Sequence, residues 1–326
     1  MNLPLITVLG SSGLLGTALT RELADRRVRL RLVSRKPTSV PAGTHAEVDV
    51  RAVELSEEGA LSEAIAGSDA IIHLVKFSSG DGNWRVATGD TAAERVNLGL
   101  VHDLIDAVRT ERRERPPQVL FSGTVTQSIT TSSGEKPATE YCRQKLAAET
   151  ALLAATAEGV LRATSLRLTT LYSQGIDSTD LDRGVTTAMT RRAVAGEPLS
   201  IWHGGGNAQR DLLCVDDAAR AFTAALDSPD TVTGRHWQIG TGHSTTVQEL
   251  FTTIAEVVAV HTGRPPVPVV STPPPEYAVA IDQLDTLLDP VPFQRATGWA
   301  PRVPLAEGLD RLAAAVAKPA AAAVTY

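Results

Sequence analysis

The feature that most limits the fold of this chain lies at its start. A strand-length run, Leu5–Leu9, leads directly into Gly10-Ser11-Ser12-Gly13-Leu14-Leu15-Gly16, and a helix-period segment, Leu14–Ala24, follows. Gly10 permits a tight turn, Gly13 lets backbone approach a pyrophosphate, and Gly16 lets the helix pack closely on the strand. The helix N-terminus, approached through Ser12, Leu14 and Leu15, offers unpaired N–H groups and a positive dipole end to phosphates. The spacing is G-x-x-G-x-x-G, not the G-x-G-x-x-G of the usual dinucleotide fingerprint. Three glycines in a loop can also be a plain turn; their place between a strand and a helix favours a phosphate cradle.

The alternation continues along the chain. Val28–Val33, Ala70–Val75, Gln118–Phe121 and Thr164–Leu168 read as strands. Ala60–Ala66, Ala92–Val108 and Thr139–Ala157 carry helical periodicity. Strands alternating with helices imply a parallel sheet covered on both faces. Right-handed crossovers then leave an α/β, doubly wound sheet as the natural solution.

After residue 172 the pattern changes. A polar loop holds Gly175, Asp177 and Asp180, and a helix is expected near Val185–Ala195. Leu199–Trp202 and Gln209–Cys214 read as a hairpin turning through Gly204-Gly205-Gly206. Asp216–Leu226 reads as helix, His236–Ile239 as strand and Val247–Val260 as helix. Pro265–Pro275 reads as a rigid connector, and the low-complexity run Ala313–Ala323 is expected to fray. The expected division is a dinucleotide-binding domain over 1–172, with 231–262 returning to it. A smaller, discontinuous substrate domain takes 173–230 and 263–326.

Charge and cysteine content remove other classes. A net charge of −6 with no basic stripe argues against nucleic acid. The densest basic cluster, Arg109–Arg115, is broken by Glu111 and Glu114 and reads as a solvated helix end. Cys142 and Cys214 are far apart and lack metal-ligand spacing, so neither a disulfide nor a metal is expected and a reducing cytoplasm is the default. No run approaches the roughly 18–20 apolar residues of a membrane span, and Leu3–Leu9 is too short for a signal peptide.

The second strand ends Val33-Ser34-Arg35-Lys36, where an acid would accept from a ribose 2′-hydroxyl and select NAD. Arg35 and Lys36 would instead attract a 2′-phosphate, or they are two solvated loop cations. Glu54-Leu55 follows the third strand, where an acidic side chain meets an adenine amine. Tyr141 and Lys145 lie four apart in a helix-forming stretch, which stacks them on one face. An ammonium near a phenol lowers its pKa, and such a phenol serves as general acid or base at a carbonyl carbon. The pair follows a strand ending Phe121-Ser122-Gly123-Thr124 in a chain that begins with the glycine loop.

With these residues in view, the chain resembles the extended short-chain dehydrogenase/reductases, the NAD-dependent epimerase/dehydratase group that acts on nucleotide sugars. The matching pieces are the glycine loop, Glu54-Leu55, Ile72-His73-Leu74-Val75, Asn97, Thr124 and Tyr141-Cys142-Arg143-Gln144-Lys145. They continue through Arg167-Leu168-Thr169-Thr170-Leu171-Tyr172, Gln209-Arg210-Asp211, Val215-Asp216-Asp217 and Gly240-Thr241-Gly242. The resemblance implies a Rossmann fold. It implies that Tyr141 exchanges the proton, Lys145 holds the nicotinamide ribose and Thr124 hydrogen-bonds the substrate oxygen. Leu74, Val75, Asn97, Leu168, Thr170 and Leu171 would line the cofactor. Arg210 would meet the nucleotide diphosphate, or form a salt bridge to a carboxylate. Asp216 and Asp217 are expected to cap a helix.

Departures narrow the resemblance. The dehydratases of the group place an Asp-Glu pair directly after the active-site Thr, and here Val125-Thr126 follows. Cys142 would point off the Tyr141 face, Cys214 is expected to pack, and His73 is expected to be structural. Trp202 and His203 are candidates for contact with a nucleotide base. Lys76 and Trp84 lie in a loop expected to form a substrate lid, with Lys76 either on the substrate or solvated. Asp182-Arg183-Gly184-Val185, Leu199–His203, Gln209–Leu213 and Ala296–Trp299 look like the 4-ketoreductases of antibiotic deoxysugar biosynthesis. That resemblance implies an oxidoreductase in which NADPH gives its pro-S hydride to C4 of a dTDP-4-keto-6-deoxyhexose. It also implies a homodimer through the helices holding Asn97 and Tyr141. Two other readings stand beside it: an NAD-retaining sugar-nucleotide epimerase and a non-catalytic dinucleotide sensor.

Overall fold

The structure, a computed structural model, describes residues 3–77, 86–128, 139–174, 184–275, 278 and 280–318. Among these, the strands are β1 (Leu5–Leu9), β2 (Arg29–Ser34), β3 (Glu47–Ala52), β4 (Ala70–His73), β5 (Gln118–Thr124), β6 (Arg162–Leu168), β7 (Thr170–Tyr172), β8 (Leu199–Trp202), β9 (Gln209–Cys214), β10 (Arg235–Ile239), β11 (Ser244–Thr246) and β12 (Val269–Thr272). The helices are α1 (Leu14–Ala24), α2 (Ala60–Ile65), α3 (Thr91–Glu94), α4 (Leu100–Glu111), α5 (Glu140–Ala157), α6 (Val185–Ala195), α7 (Val215–Asp227), α8 (Pro229–Val232), α9 (Val247–Thr262), α10 (Val291–Thr297) and α11 (Leu305–Ala317).

The main sheet runs β10-β6-β5-β4-β1-β2-β3 and every pairing in it is parallel. Its strand order reverses between β1 and β4, and in such sheets ligands bind outside the carboxyl ends of the strands at that point. The doubly wound expectation is met. β1 is buried along its whole length, as a central parallel strand with helices on both faces must be. One face is closed by Leu19 and Leu23 of α1 with Ala218 and Phe222 of α7. The other is closed by Leu61 of α2, Leu104 and Val108 of α4, and Leu152 of α5. A separate core joins Tyr172, Leu199, Ile201, Leu212, Leu250, Ile254 and Leu309.

Several features depart from the sequence reading. β8 and β9 do not form a hairpin. β9 already has both edges paired, in parallel with β7 and antiparallel with β11, so β8 pairs with β12 in a sheet of its own. β12 lies inside the proline-rich stretch, which is therefore a strand between prolines and not only a connector. The segment 92–108 is not one regular helix: Arg95–Gly99 is a π-turn between α3 and α4. Ala313–Ala317 continues α11 with Ala313 buried; the remainder of the low-complexity run from 319 lies outside the described residues.

Two segments grouped by sequence with the substrate domain pack instead on the main sheet. These are α7, through Phe222, and the 291–299 region, where Phe293 packs edge-on against Trp237 and Trp299. Long-range packing of this kind leaves no periodic trace in the sequence. Among the described residues, no helix is long and apolar enough to cross a membrane.

Candidate active site

Gly10 leaves β1 with φ +88°, the left-handed region that glycine adopts without strain, and its N–H donates to the Val33 carbonyl at 2.8 Å. A Cβ there would press on the backbone of Leu74 and Val75 at 3.2 Å, and a Cβ on Gly16 would run into the Gly10 and Ser11 carbonyls. Both glycines are thus required by the fold itself. Gly13 is not: a Cβ there would meet only the Gly10 oxygen at 3.4 Å. Gly13 is the exposed N-cap of α1, with no side-chain cap and no acid in the first turn of the helix. Small size where the protein does not demand it, at an uncapped helix N-terminus, fits a phosphate that approaches the backbone. Ser12, Leu14 and Leu15 flank it and are half-buried.

Beneath this loop lies a buried hydroxyl cluster that the sequence reading missed. Ser11 Oγ is 2.6 Å from Thr38 Oγ1 and 3.2 Å from Ser34 Oγ. Ser34 also donates to the Lys36 carbonyl at 2.6 Å. Ser34, expected at the cofactor, therefore braces the turn after β2 from within. That turn leaves Arg35 and Lys36 exposed. Glu54 is exposed and folds back onto Ser56, accepting from its hydroxyl at 2.8 Å, while Leu55 is buried in the core.

α5 begins at Thr139, whose hydroxyl accepts from the Cys142 N–H at 3.2 Å. Tyr141, Lys145 and Glu149 then recur at one-turn spacing on one face. Lys145 is buried, and its Nζ sits 4.1 Å from the centroid of the Phe121 ring on β5. Among the described residues that ammonium has no hydrogen-bond partner. Burial, reinforced by the Lys76 charge, draws its pKa from 10.5 to about 7, against a smaller opposing pull from Glu149. The sequence argument that Lys145 lowers the Tyr141 phenol is not met: burial pushes the phenol up, and the nearby Cys142 adds to the rise. Both groups are taken out of water, which disfavours the charged form of each.

His73 is fully buried against Phe121 at 5.7 Å between centroids, and burial lowers its pKa to about 3. It is a neutral packing residue, as expected. Lys76 is exposed just beyond β4. Trp84 lies outside the described residues, so the expected lid is represented only by its first residues.

A second layer holds these groups, and most of it was not anticipated. Asn97, in the π-turn, accepts from the Phe77 N–H at 2.8 Å and donates to Gln144 at 2.7 Å. Its amide joins the chain leaving β4 to α5. Thr124, at the end of β5, has its N–H held by Gln127 Oε1 at 3.0 Å. Gln127 donates onward at 2.8 Å to Glu149, which also accepts from Ser165 at 2.6 Å and Arg167 Nε at 3.0 Å. Glu149 is 3% exposed, so these donors take the place of water around its carboxyl group. Repetition of Glu149 one turn beyond Lys145 was the available signal. Gln127 and Arg167 carried none that identified their partner.

The remaining candidates are dispersed. Leu168 is buried at the end of β6, and Thr170 and Leu171 lie on β7, in parallel register with Leu212 and Leu213. Arg210 is half-buried and lies within the influence of the Asp282 and Asp285 charges. Its guanidinium donates to the backbone carbonyls of Gln209, Asp282 and Leu284, tying the returning 280s segment to β9. Trp202 is half-buried on β8, and the neighbouring His203 imidazole is 2.8 Å from the Ser271 hydroxyl. Arg183 lies outside the described residues. Asp216 and Asp217 occupy the first turn of α7 without capping it. Asp217 instead accepts from the N–H groups of Arg302 and Val303, and Asp216 from Arg21 and Gln174. Cys214 is buried, as expected. Cys142 is also buried and turns toward Thr126.

A parallel doubly wound sheet with a glycine loop at its switch point and a Tyr-x-x-x-Lys helix beside β5 defines an oxidoreductase-type, extended short-chain dehydrogenase/reductase enzyme. Residues 6–240 match the NAD dependent epimerase/dehydratase family, and the chain belongs to that family. It is 26% identical over 319 residues, 94% of each chain, to the dTDP-6-deoxy-L-talose 4-dehydrogenase (NAD(P)(+)) of Kitasatospora kifunensis. It is 32% identical over 130 residues to the UDP-glucose 4-epimerase of Mycolicibacterium smegmatis, covering 40% of this chain but only 38% of that protein. The structure of the Thermotoga maritima UDP-glucose 4-epimerase, solved with UDP-glucose, superposes with a TM-score of 0.74 at 22% identity. It covers 95% of this chain and 97% of that one, and at this identity it speaks to the fold alone.

Proposed function

We propose that this enzyme reduces the C4 ketone of a dTDP-4-keto-6-deoxyhexose with NADPH. The carrying observation is the buried Lys145 ammonium with no partner among the described residues, one turn from Tyr141 and behind the strand that ends at Thr124. A buried polar atom left in this way is suited to a polar group that arrives with a ligand. Lys145 would hold the ribose hydroxyls of the nicotinamide half, with the glycine loop at the pyrophosphate. The bound cofactor would supply hydride to the carbonyl carbon. Tyr141 passes its phenolic proton to the C4 oxygen, and Thr124 donates a hydrogen bond to the same oxygen. Lys145, recharged by its new partners, stabilises the phenolate that Tyr141 leaves.

Arg35 and Lys36, exposed after β2 where no acid stands, support the 2′-phosphate and hence NADPH. The NAD(P)(+) dependence named for the Kitasatospora relative is consistent with this. Val125-Thr126 after Thr124 supplies no acid–base pair for expelling water, which weighs against a dehydratase. In this reading residues 1–172 and 231–262 serve the cofactor, and 173–230 with 263–326 the nucleotide sugar. Cytoplasmic residence and a homodimer through the helical segments holding Asn97 and Tyr141 belong to the same proposal.

An NAD-retaining epimerase is the second reading, favoured by the similarity to the Mycolicibacterium UDP-glucose 4-epimerase. The two make opposite demands. A reductase consumes and releases its cofactor, whereas an epimerase keeps it to return the hydride. The test supplies a dTDP-4-keto-6-deoxyhexose with deuterium-labelled NADPH, follows absorbance and weighs the sugar. One NADPH oxidised per sugar, with deuterium at the former carbonyl carbon, is expected. Conversion with catalytic cofactor, no net NADPH loss and no label transfer would establish the epimerase.

A further inference from the structure

We propose that Thr126 is a positioning residue that makes Thr124 a one-way hydrogen-bond donor, through a chain that begins at Cys142. The part of this proposal that concerns substrate rests on the ketoreductase reading. Cys142 Sγ donates to Thr126 Oγ1 at 3.4 Å, and Thr126 Oγ1 lies 2.9 Å from Thr124 Oγ1. The Thr126 N–H also reaches Thr124 Oγ1, at 3.4 Å.

Cys142 is fully buried, so water does not compete for its thiol proton, and Thr126 is the acceptor that the structure provides. A hydroxyl has one proton to give and two lone pairs to receive with. Run in one direction, the thiol donates to Thr126, Thr126 donates to Thr124, and the Thr126 N–H fills the second lone pair of Thr124. The only capacity left on Thr124 is its own proton. Run the other way, the Thr126 proton would have to turn to the Cys142 sulfur, a weaker acceptor than a hydroxyl oxygen, or to solvent. Members of such a chain polarise one another, so each donation strengthens the next. Gln127 holds the Thr124 N–H at 3.0 Å, so the backbone does not turn to undo the arrangement.

The consequence is chemical. A ketone oxygen needs a donor, and a Thr124 that can only donate is matched to it. A threonine free to rotate would also accept from the alcohol product and hold substrate and product alike. The chain thus biases the site toward the carbonyl form. Position 126, where the dehydratases of the group carry a carboxylate, here serves orientation.

The test compares Thr126→Val, which keeps the shape and removes the hydroxyl, with Thr126→Ser, which restores it. The first readout is the infrared S–H stretch of Cys142, assigned by its loss in Cys142→Ala. It should move to higher wavenumber in Thr126→Val and stay in place in Thr126→Ser. The second is the reduction of a dTDP-4-keto-6-deoxyhexose. Thr126→Val should lower kcat by roughly 3- to 10-fold, the worth of one neutral hydrogen bond. Its NADPH Kd, read by fluorescence titration, should be unchanged, and Thr126→Ser should turn over within about twofold of wild type. An S–H band unmoved by Thr126→Val, or an unchanged kcat in that variant, overturns the proposal. If the wild-type enzyme leaves the sugar untouched, the ketoreductase reading fails. The infrared shift then still decides the chain, supporting it if present and overturning it if absent.

Discussion

The two ends of the candidate site are built on different principles. At the β1–α1 end the working surface is backbone: Gly10 turns at φ +88°, Gly16 admits the helix, and Gly13 leaves the first N–H groups of α1 uncovered. At the β5–α5 end the working surface is side chains held by other side chains: Thr124 by Gln127, Gln127 by Glu149, and Glu149 by Arg167 and Ser165. Backbone geometry is specified locally and tolerates little. A buried polar network is specified from several strands at once, and it fails when a single partner is removed.

The largest effect that would break this contrast is at Glu149. Glu149→Ala leaves Arg167 buried without its partner and should lower unfolding free energy by about 3–5 kcal/mol. Urea denaturation measures this; a loss below about 1 kcal/mol would mean that the network is ornamental at this end too. Tyr141→Phe should next cut kcat by roughly 10²–10⁴-fold, with cofactor affinity kept, because the phenol acts on the substrate and not on the dinucleotide. Wild-type turnover in that variant would remove the side-chain end from the chemistry.

At the backbone end, the one side chain expected to matter is Arg35. Arg35→Ala should weaken NADPH binding by roughly 1.5–3 kcal/mol and leave NADH unchanged, by titration calorimetry. Equal wild-type affinity for the two cofactors would show that the β2 turn does not read the 2′-phosphate. The most gradual effect, and the smallest per unit of pH, comes from titration. The folded pKa of Lys145 is drawn down to about 7 from 10.5, so between these values the unfolded chain binds more protons than the folded one. The stability of the cofactor-free protein should therefore rise with pH across that window, by no more than about 1.4 kcal/mol per unit. As pH falls through about 7 that contribution is fully lost. In denaturation curves, wild type should gain stability relative to Lys145→Met as pH rises above about 7, and parallel curves would mean that Lys145 is solvated.

Much of the backbone end was legible in the sequence. Leu5–Leu9 followed by spaced glycines and a periodic helix reads directly as strand, loop and helix, because each piece is a local pattern. The helix of Tyr141 and Lys145 was equally plain, and Thr139 as its cap adds only the start. The β8–β9 hairpin misled for the same reason: two strand-like runs around three glycines resemble a hairpin locally. The edges of β9 were claimed by β7 and β11, strands distant in sequence. Arg210 reads as a ligand for phosphate, yet it is turned onto the carbonyls of Asp282 and Leu284 by a segment that returns some 70 residues later.

By itself, then, the sequence determined the doubly wound sheet, the glycine cradle and the four-residue spacing of Tyr141 and Lys145, all of which follow from period and turn chemistry along a short stretch of chain. Only the tertiary structure decided that Ser34 braces the β2 turn from inside, that Glu149 anchors Thr124 through Gln127, and that Cys142 meets Thr126. It also decided that burial raises the Tyr141 pKa and lowers that of Lys145. The physical reason is common to all four. Desolvation and hydrogen-bond partnership depend on which atoms surround a group, and those atoms arrive from strands and helices that the chain brings together only on folding.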